Sequence, residues 1–366
     1  MSAGPEPVHG EPVQGEPAAG VPAWIARLPK AELHLHLEGT ATPETLVALA
    51  AARGRRLALE EARRRFTYRD FFGFLMAFKW VSEQLRAPED YGFLLADLLR
   101  RLRDENVLYA EITLAAGVVL WKRQDVDAVF AALQETLETS GKEHPAEGPE
   151  RSRGVEVRWI FDGVRNFGAD HVARAADCAL RWQRSGVVGF GIGGDEQNGP
   201  PELFRETFDR VRAAGMRATV HAGETAGPES IWGALRALGA ERIGHGLAAF
   251  KDPKLVEHLK EKKIPLEVCP TSNLRTGALR QHTGEADLAR HPLVDYCRRG
   301  LAVTLSTDDP GLFDTTLNQE YALAHRLGLA REEIIRLAEA SFQAAFSEPA
   351  LKQELLERFR AGAAAL

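Results

Sequence analysis

Short apolar, β-rich runs recur along the chain, and between most of them the apolar positions fall at helical spacing. Eight runs stand out: 31–37, 107–114, 155–162, 187–192, 217–221, 242–245, 264–269 and 301–306. Strand and helix signals that alternate predict parallel strands joined by right-handed crossovers. Eight such units predict a closed (β/α)8 barrel of the TIM type rather than an open sheet. The stretch 42–103 is too long for one crossover helix, so extra helices inserted after the first strand are expected over the barrel mouth. Its run from Phe71 to Phe78 is mostly core material, part of which can line an apolar wall above a site. Residues 1–22 repeat Gly-Glu-Pro-like units (Gly10-Glu11-Pro12, Gly15-Glu16-Pro17). With few apolar side chains to offset ordering entropy, they read as a disordered tail preceding one domain over 23–366. The polar stretch 140–154 reads as a loop between a helix and a strand.

Polar clusters follow the apolar runs, at the strand ends where a barrel keeps its chemistry. His34 and His36 stand two apart on the first strand, so both imidazoles project to one face. One inward histidine is usually a hydrogen-bonded core residue; two at this spacing point to metal ligands. His221 ends the fifth strand as a third ligand candidate. Gly223 allows a sharp turn after it, so Glu224 can face the same cavity as a general acid or base. His245 lies between Gly244 and Gly246 at the sixth strand end, either a turn histidine or a base or electrostatic partner for an attacking water. Asp308-Asp309-Pro310 follows the eighth strand. Consecutive side chains diverge, so one carboxylate can ligate a metal while the other reaches substrate. Three histidines, an aspartate and a nearby Glu and His from four strands make a far more specific pattern than any member alone. Imidazole plus carboxylate favours zinc with an open position, hence hydrolysis. Two-metal barrel hydrolases commonly bridge their ions with a carboxylated lysine at the fourth strand end. No lysine stands between Lys142 and Lys251, so one metal is expected.

Bulk properties narrow the picture further. A length of 366 residues suits one barrel with insertions, typically ~250 to over 400 residues. The net charge of −6 supplies no whole-chain field for nucleic acid or an anionic membrane. The basic run Arg63-Arg64-Arg65 follows Glu60-Glu61 and reads as a solvated helix face. Three scattered cysteines, Cys178, Cys269 and Cys297, argue against a disulfide framework and for a reducing compartment. No apolar run approaches the ~20 residues of a membrane span, and no signal peptide is visible, so the cytoplasm is the default location. The motifs of small nucleobase deaminases, zinc metalloproteases and P-loop proteins are missing.

These residues resemble the adenosine deaminase family. The resemblance rests on Pro29 to Gly39 (PKAELHLHLEG), Gly193-Gly194-Asp195-Glu196, His221-Ala222-Gly223-Glu224, Arg242-Ile243-Gly244-His245-Gly246, Glu267 to Asn273 (EVCPTSN) and Ser306 to Pro310 (STDDP). It runs in the family's order from about residue 28 to 320. It implies that His34, His36, His221 and Asp308 hold one zinc and that Glu224 protonates the purine N1. His245 would orient and help deprotonate the attacking water, Asp309 would contact N7, and the Gly194 backbone would contact N3. The product would be a 6-oxopurine, with ammonia released. A Glu224 that is protonated at neutral pH needs a raised pKa, which burial can supply.

One departure bears on the substrate. Glu38 stands where many adenosine enzymes of the family carry Asp, at the position associated with the 5′ end of the nucleoside. The adenine-specific branch also has Glu there, but typically with Asp at the place of Gly244 and without Gly193-Gly194-Asp195. An adenine nucleoside, adenosine first, is therefore the expected substrate. The stretches 224–228 and 269–276 also resemble bacterial members that deaminate 6-aminodeoxyfutalosine in menaquinone synthesis, a nucleoside with a 5′ carboxyphenyl group. Arg275 or Arg69 is a candidate partner for that carboxylate. The alternatives are therefore 6-aminodeoxyfutalosine or adenine as substrate, a general amidohydrolase acting on a cyclic amide, and a non-catalytic barrel serving as a binding module. Oligomeric state is not readable from the chain.

Overall fold

A computed structural model describes residues 20–140 and 154–366. Most of the expected tail, residues 1–19, and the loop residues 141–153 lie outside them. Eight strands form one sheet in sequence order: β1 (Lys30–His36), β2 (Val107–Leu114), β3 (Glu156–Val164), β4 (Val187–Gly193), β5 (Arg217–Ala222), β6 (Arg242–His245), β7 (Leu266–Val268) and β8 (Val303–Leu305). Every neighbouring pair is parallel. The sheet closes between β1 and the chain just beyond β8. There the Asp308 amide donates to the His34 carbonyl at 3.0 Å, and the His36 amide donates to the Asp308 carbonyl at 2.9 Å. The fold is the expected (β/α)8 barrel.

The last two strands are shorter than their apolar runs. Pro265 has no N–H to give a ladder, so β7 begins at Leu266, although the Pro265 carbonyl still accepts from Ile243. Cys269 precedes Pro270 and turns out of the strand to start the helix Pro270–Arg275. Beyond Leu305 the chain leaves β8 to deliver Asp308 and Asp309.

Four helices occupy the long insertion: Pro43–Ala52, Leu59–Arg65, Phe71–Gln84 and Pro88–Asp104. Thr42 and Asp70 cap the first and third by accepting from the Thr45 and Gly73 amides, satisfying donors that a helix start leaves free. The third helix lies over the mouth, where Phe74 stacks on Phe313 with ring centroids 5.1 Å apart. Phe74 is buried, whereas Phe72 on the same helix is 69% exposed. The Arg63–Arg65 run is a solvated helix face: Arg63 pairs with Glu44, and Arg65 lies over Trp80. The three cysteines are unpaired. Among the described residues, no helix is long and apolar enough to cross a membrane.

The strands are buried on both faces, as a parallel barrel requires, yet charged residues stand inside them. Lys30 opens β1 fully buried, its Nζ donating to the carbonyls of Ile25 (2.9 Å) and Leu28 (2.5 Å). Burial, opposed by the nearby Glu105, pulls its ammonium down to about 7. The unfolded chain keeps that proton to about 10.4. Between these values unfolding takes up a proton, so Lys30 makes stability rise with pH. Lys30→Met removes this term. Urea unfolding at pH 7, 8.5 and 10 should show the stability of wild type relative to the variant rising by about 2 kcal/mol or more. A difference that stays constant with pH would mean the buried amine titrates normally.

Candidate active site

All the expected ligands meet inside the mouth. The alternation of β1 sends His34 and His36 inward, their ring centroids 5.2 Å apart. His221, at the end of β5, brings its Nε2 within 3.1 Å of His36 Nε2. Asp308 Oδ1 lies 3.4 Å from His34 Nε2 and 3.3 Å from His36 Nε2. Ligands held by one zinc at ~2.0–2.1 Å in a tetrahedron stand roughly 3.3 Å from each other, the spacing seen here. His34 Nε2 is buried without a hydrogen-bond partner, an arrangement that otherwise costs about 1–3 kcal/mol. The donor set and its spacing therefore fit one divalent cation. Ligand atoms of His34, His221, His245 and Asp308 all lie within 4.8 Å of one another, as do those of His36, Asp308 and Asp309.

The far ring nitrogens of two histidines fix which face each presents. His34 Nδ1 donates to Glu267 Oε2 at 2.7 Å, and His221 Nδ1 donates to the Ile192 carbonyl at 3.1 Å. Each Nε2 therefore carries the lone pair, as ligation requires. Glu267 is anchored in turn. Arg242 Nε donates to its Oε1 at 2.6 Å and Thr219 Oγ1 at 3.0 Å, while the other end of the guanidinium pairs with Glu111. Burial would raise the Glu267 carboxyl, but Arg242 and His34 bring it down to about 2. Burial would raise the Asp308 carboxyl, but the His34, His36 and His245 rings packed around it hold it well below the carboxylate range. Ser272 Oγ donates to Asp308 Oδ2 at 2.7 Å.

Gly223 adopts φ +72°, the turn expected from sequence, and it swings Glu224 into the cavity. Glu196 holds that loop, accepting from the amides of Gly223 (2.7 Å), Glu224 (2.8 Å) and Thr225 (2.9 Å) and from Ser230 Oγ (2.6 Å). Burial, with the negative charges of Asp308 and Glu196, pushes the Glu224 carboxyl well above its ordinary range. His245 Nε2 lies 3.6 Å from Glu224 Oε2 and 3.8 Å from Asp308 Oδ2. Both His245 (φ +61°) and Asp308 (φ +68°) occupy the left-handed region, a strain of order 1–3 kcal/mol each that functional sites concentrate.

Asp309 is buried with Oδ1 unpartnered, and burial beside Asp308 pushes its carboxyl well up. It can share the cavity with the Glu38–Thr40 turn because residue 39 is glycine: a Cβ there would lie 1.6 Å from Asp309 Oδ1. Glu38 is fully buried; Oε2 accepts from the Ala115 amide at 3.4 Å, and Oε1 is unpartnered. Gly194, at φ +94°, follows β4 beside Asn166. Arg69 is exposed, while Arg275 is half-buried with its guanidinium 5.6 Å over the Tyr68 ring.

Sequence reasoning missed the supporting groups: Glu267, Glu196, Ser272, Asn273 and the Arg242–Glu111 pair. A signal for some existed. Glu111 and Glu267 interrupt apolar strands, and a charge inside a buried strand must find a partner.

The pattern described as adenosine deaminase matches residues 29–361. The chain belongs to the adenosine deaminase family. It is 39% identical over 339 residues to the aminodeoxyfutalosine deaminase of Streptomyces avermitilis, covering 91% of this chain and 90% of that one. It is 34% identical over 334 residues to the adenine deaminase of Agrobacterium fabrum, covering 91% and 98%. Among solved structures, the adenine deaminase from Arthrobacter aurescens superposes with a TM-score of 0.82 at 29% identity, covering 91% and 98%. The chain is a hydrolytic deaminase of adenine-type substrates, acting on an amidine C–N bond.

Glu267→Gln tests the support of the ligand cluster. The variant should bind a divalent metal 10–100-fold more weakly in chelator competition. Unchanged affinity would confine Glu267 to packing.

Proposed function

We propose that this member hydrolyses the 6-amino group of 6-aminodeoxyfutalosine, using one zinc held by His34, His36, His221 and Asp308. What carries the reading is the relative of that name, 39% identical over nine-tenths of both chains. This favours the alternative over adenosine, the substrate the sequence put first. Adenine is the second reading, favoured by the 34% identical relative named for it. Against it stands Gly244: a Cβ at that position would lie 2.8 Å from His34 Cε1 and 3.2 Å from the His221 Cα. The Asp typical of the adenine branch would require these neighbours to shift. Arg275, stacked on Tyr68, supports a negatively charged substituent at the ribose end. The Tyr68 hydroxyl donates to the Leu312 carbonyl at 2.8 Å, in the segment that follows Asp308 and Asp309, which supports a role for this arginine near the site.

Zinc, when bound, makes an ionised water available near neutral pH. His245 orients that water toward C6. Attack moves electrons onto N1, where the Glu224 carboxyl, kept protonated by burial, delivers its proton. Asp309 meets N7, the Gly194 amide meets N3, and the free Oε1 of Glu38 faces the ribose side. Collapse of the tetrahedral carbon passes the proton of the new hydroxyl to the amino nitrogen, breaks the C6–N bond to release ammonia and leaves the 6-oxopurine. The inserted helices over the mouth limit the access of bulk water.

Glu224→Gln should retain stoichiometric zinc and lose activity by about 10²–10⁴-fold; near-wild-type turnover would remove Glu224 from the acid role. His34→Ala and Asp308→Ala should purify with little zinc, and full occupancy in either would mean the ligand set is wrong. The deciding comparison is kcat/KM by ammonia release on 6-aminodeoxyfutalosine, adenosine and adenine. A tenfold or greater preference for the first is expected, and a preference for either of the others would overturn the substrate assignment.

A further inference from the structure

The protonation pattern of His245 is set from behind. The Leu293 backbone amide lies 3.1 Å from His291 Nδ1. A backbone N–H can only donate, so His291 Nδ1 accepts and its proton sits on Nε2. His291 Nε2 then donates to Asn273 Oδ1 at 3.1 Å, which fixes the orientation of that amide. The Asn273 NH2 group faces His245 Nδ1 at 3.0 Å. It too can only donate, so His245 Nδ1 accepts and its proton sits on Nε2. Three residues in series thus transmit one backbone donor into the site. Asn273 is fully buried, and His291 and His245 are nearly so, so water does not compete for these positions. Burial brings His291 down to about 3, consistent with a neutral ring that can accept from Leu293.

We infer that Asn273 and His291 are positioning residues that present His245 to the reaction as a hydrogen-bond donor, not as a base and not as a metal ligand. The inference rests on the deaminase reading for its catalytic consequence. His245 Nε2–H points toward Glu224 Oε2 and Asp308 Oδ2, at 3.6 and 3.8 Å, the space an attacking oxygen must occupy. With hydrogen on Nε2 and Nδ1 filled by the amide, His245 has no lone pair free to take a proton from water. It also has none for a cation, which separates it from His34 and His221, whose Nδ1 atoms donate and whose Nε2 atoms are free. The proton that reaches N1 is therefore carried by the Glu224 carboxyl. The attacking water loses one proton to solvent and adds to C6 as hydroxide; its remaining proton passes to the amino nitrogen, which leaves as ammonia as the C6–N bond breaks, while His245 donates to that oxygen and keeps its own proton.

Two variants and one spectrum test this. In zinc-loaded, 15N-histidine-labelled protein, His245 should show a protonated Nε2 and an unprotonated Nδ1. His291→Gln keeps a donor for Asn273 Oδ1, so it should retain that pattern and stay within about threefold of wild-type kcat. Asn273→Leu, similar in size but without an amide, should lose the pattern. Its kcat should fall 10- to 100-fold, with KM and zinc content within twofold. A wild-type spectrum with the proton on Nδ1 would overturn the inference, as would equal losses in the two variants, the mark of a packing role. The spectrum decides even if no 6-aminopurine is turned over, an outcome that would instead defeat the deaminase mechanism.

Discussion

One buried guanidinium holds together both the barrel core and the ligand cluster. Arg242 opens β6 and is pinned between Glu111 on β2 and Glu267 on β7, with its plane against Phe346 at 3.5 Å. Loss of one partner from a buried ion pair costs about 3–5 kcal/mol. Glu267 in turn fixes the ring of His34. The geometry of that imidazole therefore depends on a charge set spanning the barrel and reaching the C-terminal segment, where Arg242 also donates to the Ala344 carbonyl. Such a set is not obviously the most stable filling for a core. Its contribution is to orient an imidazole that apolar packing alone would leave free to rotate.

The same logic repeats around the site. Five of the candidate site groups have their far side occupied: Glu267 behind His34, the Ile192 carbonyl behind His221, Ser272 beside Asp308, Asn273 behind His245 and Glu196 beneath the Glu224 loop. Each of these partners comes from a βα unit other than the one whose group it holds. Orientation is thus a property of the closed barrel, not of any single βα unit.

This explains what could be read from the chain and what could not. Strand positions were legible because burial on both faces leaves continuous apolar runs. The outward signs of the site, His34-x-His36, His221-x-x-Glu224 and Asp308-Asp309-Pro310, were legible because each sits where such a run ends. The truncation of β7 and β8 was less visible, since Pro265 and Pro270 act through hydrogen bonds and not through hydrophobicity. The partners of Glu267, Glu196 and Asn273 were hidden for a different reason. A side chain 18 to 233 residues from its partner leaves no local spacing to read. The substrate stayed open because Glu38 lies beyond the reach of periodicity, and its meaning depends on which groups surround it.

The barrel closes where His34 and His36 exchange backbone hydrogen bonds with Asp308, and His34 and Ser306, which also meet there, stand 272 positions apart in sequence. A ribosome must therefore release nearly the whole chain before the first strand can find its last neighbour. Three of the groups that would grip a cation sit on that seam, so no early intermediate offers the full set. Loading of a cation would therefore follow closure of the barrel, and an ion seated there would act as a clasp holding the first strand to the last.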